Sequence, residues 1–395
     1  RNWLHSDGIP GRPWFKHLLY AARYTYAHLE LPGLTEAVEA GKWDVAREQA
    51  ALLQAAVEKN TARLNDALNN LLQSAAPAAA TPPGASLAKL HAEIEAVRSS
   101  FPGEMAVYMK NLATGEEIAA DADSVYETFS VIKVPIMAEV YRQAEAGKWS
   151  LSDRVTLQAS DARLPSGVLH TLEPGLNPTI RDLLTLMIIL SDNTATDMLA
   201  DRVGRADVTR FMTDLGLKQT SIEFSDLDYD RVWLGFLDPR YRTETAEEIM
   251  QFPFAKYTRA EVSEAFRKAM YESDIYFGHS TVREMGRLFE MLARGELVSK
   301  SASEQMLAIL RKQQVNDRFP RYLRGVDIAH KTGDGQPYIA NDAGILWVKG
   351  QAIVLVVFTG RHRGSRTDLH EAIARIAAYV GRHYGAALAA DFKER

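Results

Sequence analysis

The chain has no cysteine among its 395 residues, which excludes disulfides, thiolate catalysis and Cys-ligated zinc. Long apolar runs are missing too. The longest, Leu183 to Leu190 and Ala352 to Phe358, fall well short of the roughly 20 residues that a membrane-spanning helix needs. Charge of one sign is not in excess. With 46 basic and 51 acidic side chains the formal net charge is −5, so there is no basic surface for nucleic acid and no pull toward an anionic membrane. The chain opens at Arg1 with neither Met nor a charged-then-apolar leader, and no secretion signal is legible in it. His5, His17 and His28 lack a histidine or carboxylate partner at ligand spacing, so neither a metal nor a cofactor is expected.

What is present is ordinary globular composition, 46% hydrophobic and 25% charged, in a chain long enough for two or three cores. Apolar residues at three- and four-residue steps, Trp14, Leu18, Leu19, Ala22 and then Leu52, Leu53, Val57, Leu64, Leu68, Leu72, predict two helices between about residues 12 and 73. Pro32 and Gly33 read as the stop between them. The Ala/Pro-rich residues 75–85 can hold no regular ladder and bury no face. The expected organisation is therefore a helical segment over 1–73, a linker over 74–86 and a main domain over 87–395. Within that domain the pattern predicts a helix over Leu87 to Ser99 and strands over Met105 to Asn111 and Glu117 to Ala120. A helical middle follows. Strands return over Gly344 to Lys349 and Ala352 to Thr359, with Gly350 and Gln351 as the turn, and Asp368 to Tyr384 closes as a helix. Strands at both ends around a helical middle predict an α+β domain whose sheet is assembled from distant segments.

Three short motifs occur in order: Ser130-Val131-Ile132-Lys133, Ser191-Asp192-Asn193 and Lys331-Thr332-Gly333. Each alone has a plain reading. Ser130 could simply open a helix, Ser191-Asp192-Asn193 could cap the next one, and Lys331-Thr332-Gly333 could end a strand. A second Ser-x-x-Lys, Ser86 to Lys89, reads as the linker edge. Together the three form the set found in class A β-lactamases and penicillin-binding proteins, and chemistry accounts for their residue types. A hydroxyl is a poor nucleophile until a base takes its proton, and a lysine three residues on lies on the same helical face. For Lys133 to act as that base near neutral pH, burial and a second cation such as Lys331 must lower its pKa.

From about Ser86 to Arg395 the chain resembles the class A β-lactamase family and its penicillin-binding relatives. The resemblance rests on these motifs, on the 61 residues from Ser130 to Ser191, and on Gly333-Asp334-Gly335 leading to Asn341-Asp342-Ala343-Gly344. It implies a β-lactamase-like sandwich, an antiparallel sheet flanked by helices with an all-helical lobe. It also implies that Ser130 attacks a carbonyl, that Ser191 relays a proton to the departing nitrogen and that Asn193 holds the substrate's amide side chain. Lys331 and Thr332 would bind a carboxylate. The oxyanion would lie between the N–H groups of Ser130 and Asp334, with Gly333 letting the strand come close. The substrate would be a β-lactam or a cell-wall peptide, and the protein periplasmic or secreted. Two other readings stand beside β-lactam hydrolysis: a D,D-peptidase or esterase that releases lactams slowly, and a non-catalytic sensor.

The pattern departs from the family in several places. Deacylation in the resemblance belongs to the Glu of a Glu-x-x-Leu-Asn loop after Ser-Asp-Asn. Glu173-Pro174-Gly175-Leu176-Asn177 has the letters but precedes Ser191 by 18 residues, and reads as a lead-in to a helix. Asp226 stands nearest the expected place. It reads as part of a solvated acidic loop and is not counted as catalytic. Aromatic residues crowd Trp233 to Phe277, where the chain exceeds the family's length, and read as a local core. The Asp334 carboxylate would oppose an anionic substrate. Near the start, Gly8-Ile9-Pro10-Gly11, Trp14-Phe15-Lys16-His17, Tyr20 to Tyr24 and Gly41-Lys42-Trp43 resemble the dimerisation helices of the transferrin receptor and glutamate carboxypeptidase group. That resemblance implies a homodimer through residues 1–73.

Overall fold

In the computed structural model the described residues are 20–22, 28–30, 32–74, 83–335 and 337–393, and the chain divides into two compact units, Arg1–Thr81 and Pro82–Arg395. In the first unit, β1 (Tyr20–Ala22) pairs antiparallel with β2 (His28–Glu30), and α1 (Pro32–Glu39) and α2 (Trp43–Ser74) follow. The helical segment is present, with one correction. The helix expected before Pro32 is extended backbone at residues 20–22 and 28–30, and the rest of its span, residues 12–19, 23–27 and 31, lies outside the described residues. Pro32 and Gly33 open a helix instead of ending one. Proline's fixed φ and missing N–H suit a first helical turn, where that N–H has no intrahelical partner.

The second unit begins with α3 (Pro83–Ser100), so the last four residues of the expected linker are its first turn; residues 75–82 lie outside the described residues. Then come β3 (Glu104–Asn111), β4 (Glu117–Ala120) and β5 (Tyr126–Glu127). The helical middle holds α4 (Lys133–Glu145), α5 (Ile180–Ile189), α6 (Asn193–Val203), α7 (Arg205–Asp214), α8 (Asp226–Gly235), α9 (Ala246–Met250) and α10 (Arg259–Glu272). After β6 (His279–Ser280), α11 (Val282–Arg294) and α12 (Lys300–Leu310), the chain returns through β7 (Leu323–Arg324) to β8 (Asp327–Gly335), β9 (Ile339–Val348) and β10 (Gln351–Gly360). It closes with α13 (Arg366–His383) and β11 (Ala387–Leu388).

The main sheet is antiparallel with order β4-β3-β10-β9-β8, assembled from the two ends of the domain as expected. Side chains alternate across it with period two. Val107, Met109, Leu355 and Val357 pack toward Ile94 of α3 and Ile373 of α13. Ala106, Tyr108, Val354 and Val356 face the other way, into a core centred on the buried α4. The β9–β10 turn lies one residue earlier than expected, at Lys349-Gly350 with φ of +47° and +79°. Positive φ at both positions is what the two-residue type I′ hairpin requires.

Candidate active site

Ser130 lies in a tight helical turn, Phe129–Ile132, that runs directly into α4. The turn is held from three sides. Thr128 donates through its N–H and its hydroxyl to the Gly278 carbonyl, at 2.7 and 2.9 Å. Asn341 Nδ2 donates to the carbonyls of Glu127 and Thr128, at 2.9 and 3.1 Å. Gly333 presses against the same backbone, where an added Cβ would stand 2.4 Å from the Thr128 oxygen. Only glycine permits that approach, as the resemblance implied. Phe129 adopts φ of +44°, a strained value held by the surrounding bonds.

The three motifs meet at two buried lysines. Lys133 Nζ donates to the Ser191 carbonyl at 2.8 Å, the Ser191 hydroxyl at 3.2 Å and Asn193 Oδ1 at 2.8 Å. Lys331 Nζ donates to the same Ser191 hydroxyl at 3.0 Å and to the Thr332 carbonyl at 2.7 Å. The Ser191 oxygen thus receives a bond from each lysine, which leaves its own proton to be given elsewhere. Lys133 is turned toward the Ser-Asp-Asn motif, its N–H donors engaged there. Asn193 Nδ2 donates to the Leu164 carbonyl at 3.0 Å, so both ends of this amide are fixed.

Ser191-Asp192-Asn193 is also a helix cap. Asp192 Oδ1 accepts from Ala195 N at 2.9 Å, and its Oδ2 accepts from Val168 N and Leu169 N, at 2.6 and 2.9 Å. The cap and the site are one feature, because anchoring α6 to the 166–169 loop holds Ser191 at a φ of +57°. Burial pushes both lysines below their ordinary value. For Lys133 the Asp226 carboxyl is the strongest opposing charge. For Lys331 the depression is larger, and the Lys133 charge adds to it. A cluster that disfavours protonated amines in this way can accept a proton from a hydroxyl.

A profile of the β-lactamase enzyme family matches residues 89–384. The chain belongs to that family. It is a serine β-lactamase-type hydrolase, and its α+β architecture is the one its structural neighbours share. Among curated proteins, β-lactamase CTX-M-4 of Salmonella typhimurium is 24% identical over 308 residues, covering 74% of this chain and 92% of that protein. Among solved structures, a β-lactamase from Sphaerobacter thermophilus matches with a TM-score of 0.59 at 25% identity, covering 76% of this chain and 97% of that one. A PBP-A variant solved as an acyl-enzyme complex with penicillin G matches with a TM-score of 0.58 at 24% identity, covering 75% and 97%. A profile of the transferrin receptor-like dimerisation domain matches residues 1–65.

Within this family enzyme, Asp226 is not a solvated loop residue. It is the first residue of α8, behind a Ser225 cap, and its Oδ2 is shielded from solvent with no hydrogen-bond partner. Its N–H donates to Asp197 Oδ1 at 3.0 Å, and Asp197 also takes Arg163 Nε at 2.5 Å and Arg205 Nη2 at 2.9 Å. One turn along α8, Asp230 Oδ1 accepts from Trp233 Nε1 at 2.9 Å while its Oδ2 is likewise buried and unpartnered. Burial, then Asp197, raises the Asp226 carboxyl well above its usual range. Burial also pushes Asp230 up to about 7. The four-residue spacing of Asp226 and Asp230 was the available signal, since it puts both on one helical face. Glu173 is exposed in the loop before α5 and Arg154 Nη1 holds the Asn177 carbonyl at 2.7 Å, which fits the lead-in reading.

Asp334 also differs from expectation. Its carboxylate is bound by the buried Arg318 guanidinium instead of standing against the substrate anion. The aromatic surplus is a local core, as the sequence suggested: Tyr229, Trp233, Tyr241 and Phe252 pack together with Phe129 and Leu164. Because Phe129 precedes Ser130, this core also buttresses the turn that carries Ser130. Sequence reasoning missed Ser166, whose hydroxyl donates to the Ser191 carbonyl at 2.7 Å.

Glu127, three residues before Ser130, gives a test of this packing by pH. Burial pushes its carboxyl up to about 8, against only one bond from Phe277 N at 3.3 Å. Between pH 4.5 and 8 the unfolded chain releases a proton that the folded chain keeps, so this group lowers stability as pH rises through that window. Glu127→Gln should therefore gain on the parent by roughly 2–4 kcal/mol between pH 5 and pH 9. Denaturant midpoints at the two pH values check it, and an unchanged difference would refute it.

Proposed function

We propose that the enzyme hydrolyses β-lactams through a Ser130 acyl-enzyme, and the observation that carries this is the Ser191 hydroxyl bridging two buried lysines beside the nucleophile's helix. Lys133 takes the Ser130 proton as the oxygen attacks the lactam carbonyl. The oxyanion is held by the N–H groups of Ser130 and Asp334. Collapse breaks the C–N bond, and Ser191 passes its proton to the departing nitrogen while taking one from the lysines. Lys331 and Thr332 hold the substrate carboxylate, and Asn193 its amide. Water then cleaves the ester, with Asp226 as the carboxylate that draws off the water's proton. The acyl-enzyme formed by the PBP-A variant supports the first half of this scheme. Such a substrate is met outside the cytoplasm, which favours a periplasmic or secreted protein. Among the described residues no helix is long and apolar enough to cross a membrane.

The test is the mass of the enzyme after mixing with excess penicillin. The expected result is a one-to-one adduct mapped to the peptide that contains Ser130, followed by release of hydrolysed drug. Absence of any adduct and of turnover would exclude lactam recognition. A persistent adduct with turnover of a depsipeptide would make it a D,D-peptidase.

The first unit supports self-association. Val57 and Leu64 of α2 stand 46% and 70% exposed, and the dimerisation-domain profile covers this region. The full chain should sediment as a dimer and a chain starting at Pro82 as a monomer; equal monomer masses would discard the idea.

A further inference from the structure

The peptide unit that joins Gly333 to Asp334 faces two ways. Its N–H, on Asp334, is one of the two donors assigned to the oxyanion, while its oxygen belongs to Gly333. In a planar trans peptide these two point in opposite directions, so whatever fixes the oxygen also fixes where the N–H aims. Arg318 fixes it. Arg318 Nη1 donates to Gly333 O at 3.2 Å and to Asn341 O at 2.6 Å. Gly333 and Asn341 are cross-strand partners in β8 and β9, so one guanidinium clamps both strands at this point. Its Nη2 binds the Asp334 carboxylate.

The guanidinium is itself braced. His370 of α13 places Nε2 at 3.4 Å from Arg318 Nη2 and 3.6 Å from Asp334 Oδ1, and its Nδ1 at 2.8 Å from Asp317 Oδ2. Arg318 is 0% exposed, so it cannot reach a substrate. Burying a cation is unfavourable unless partners offset the lost hydration, and here the partners are the backbone of the oxyanion strand and two carboxylates. A full charge at the carbonyl end of an amide draws electron density along it and strengthens the N–H as a donor.

Resting on the acyl-enzyme reading, we infer that Arg318, braced by Asp334, His370 and Asp317, is a positioning residue that aims and polarises the Asp334 N–H and so sets the acylation rate without touching substrate. Losing an oxyanion donor outright costs ~10²–10³ in rate; loosening one costs less. Arg318→Lys keeps the charge but cannot reach two carbonyls and a carboxylate together. His370→Gln leaves the guanidinium in place and removes one brace.

The experiment forms the Ser130 adduct with a penicillin labelled with 13C at the lactam carbonyl and reads its infrared stretch, alongside the acylation rate at saturation and the half-saturating concentration. For Arg318→Lys the expected result is an acylation rate down about tenfold, a half-saturating concentration little changed, and a stretch moved to higher wavenumber. His370→Gln should move the same readouts less far. An unchanged stretch in a folded, acylating variant overturns the inference, as does a loss confined to half-saturation. If Arg318→Lys does not fold, His370→Gln decides on the same readouts. No adduct with the unsubstituted enzyme is a different failure: it removes the acyl-enzyme reading, and this inference with it.

Discussion

Lys133→Met lowers the rate of Ser130 acylation by ~10²–10⁴, the range that a positioned general base supplies, while the half-saturating lactam concentration changes little. Methionine keeps the length and apolar stem of the side chain in a site where Lys133 is fully buried. What is lost is the amine. Its three acceptors, the Ser191 carbonyl, the Ser191 hydroxyl and Asn193 Oδ1, lose a donor, and Lys331 is left as the only cation on Ser191 Oγ. In the proposed scheme the lactam carboxylate still meets Lys331 and Thr332, so ground-state binding should persist and the loss should fall on the chemical step. The pH profile adds a second check. Burial lowers the Lys133 pKa, so acylation by the parent should rise with pH as the ammonium deprotonates and level off below pH 10.5. The variant should lack that limb. Rapid-quench mass spectrometry of the adduct against time measures both, and an unchanged rate and limb would show that Lys133 is not the base.

Much of this site was legible because its chemistry is written in short segments. Ser130 and Lys133 share one helical turn, and Gly333 is needed for one close approach, so local sequence carries both. The apolar runs that mark β3, β9 and β10 follow from burial on both faces of the sheet and are equally local. What was not legible depends on residues far apart in the chain. The bonding of Lys133 to Ser191 and Asn193 requires α4 and α6 to be packed together. Arg318 precedes Lys331 by 13 residues with no pattern around it, so neither its burial nor its clamp on β8 and β9 could be read, and Asp334 therefore looked like an unopposed anion. Asp226 misled for the same reason: an acidic stretch reads as solvated until the helix that carries it is seen to press its carboxyls inward. At the first unit, apolar residues at three- and four-residue steps do not prevent the short extended pair at Tyr20–Ala22 and His28–Glu30.

Asp226→Asn separates the two halves of the reaction. The Asp226 carboxyl is the strongest opposing charge on Lys133, and its Oδ2 is buried without a hydrogen-bond partner. A carboxyl in that condition resists ionisation. Desolvation, Asp197 and Asp230 raise the Asp226 pKa, and Lys133 and Arg163 pull it back. Such a group takes up a proton readily once it is ionised, the requirement for activating water. Asparagine has the same shape and no basicity. Acylation should therefore continue, because Lys133, Ser191 and Lys331 are untouched, while hydrolysis of the ester slows by ~10²–10⁴. The expected record is a burst of one lactam per enzyme and an adduct that persists in the mass spectrum. Loss of fold is not the explanation to fear. The substitution removes a buried group whose ionisation opposes folding, so stability above neutral pH should hold or rise. In the parent, deacylation should climb with pH above the ordinary carboxylate range, because burial and then Asp197 raise the Asp226 pKa, and Asp226→Asn should flatten that climb. Full turnover by Asp226→Asn would assign the water's proton to another group, and equal loss in both steps would make Asp226 a structural support for Lys133 alone.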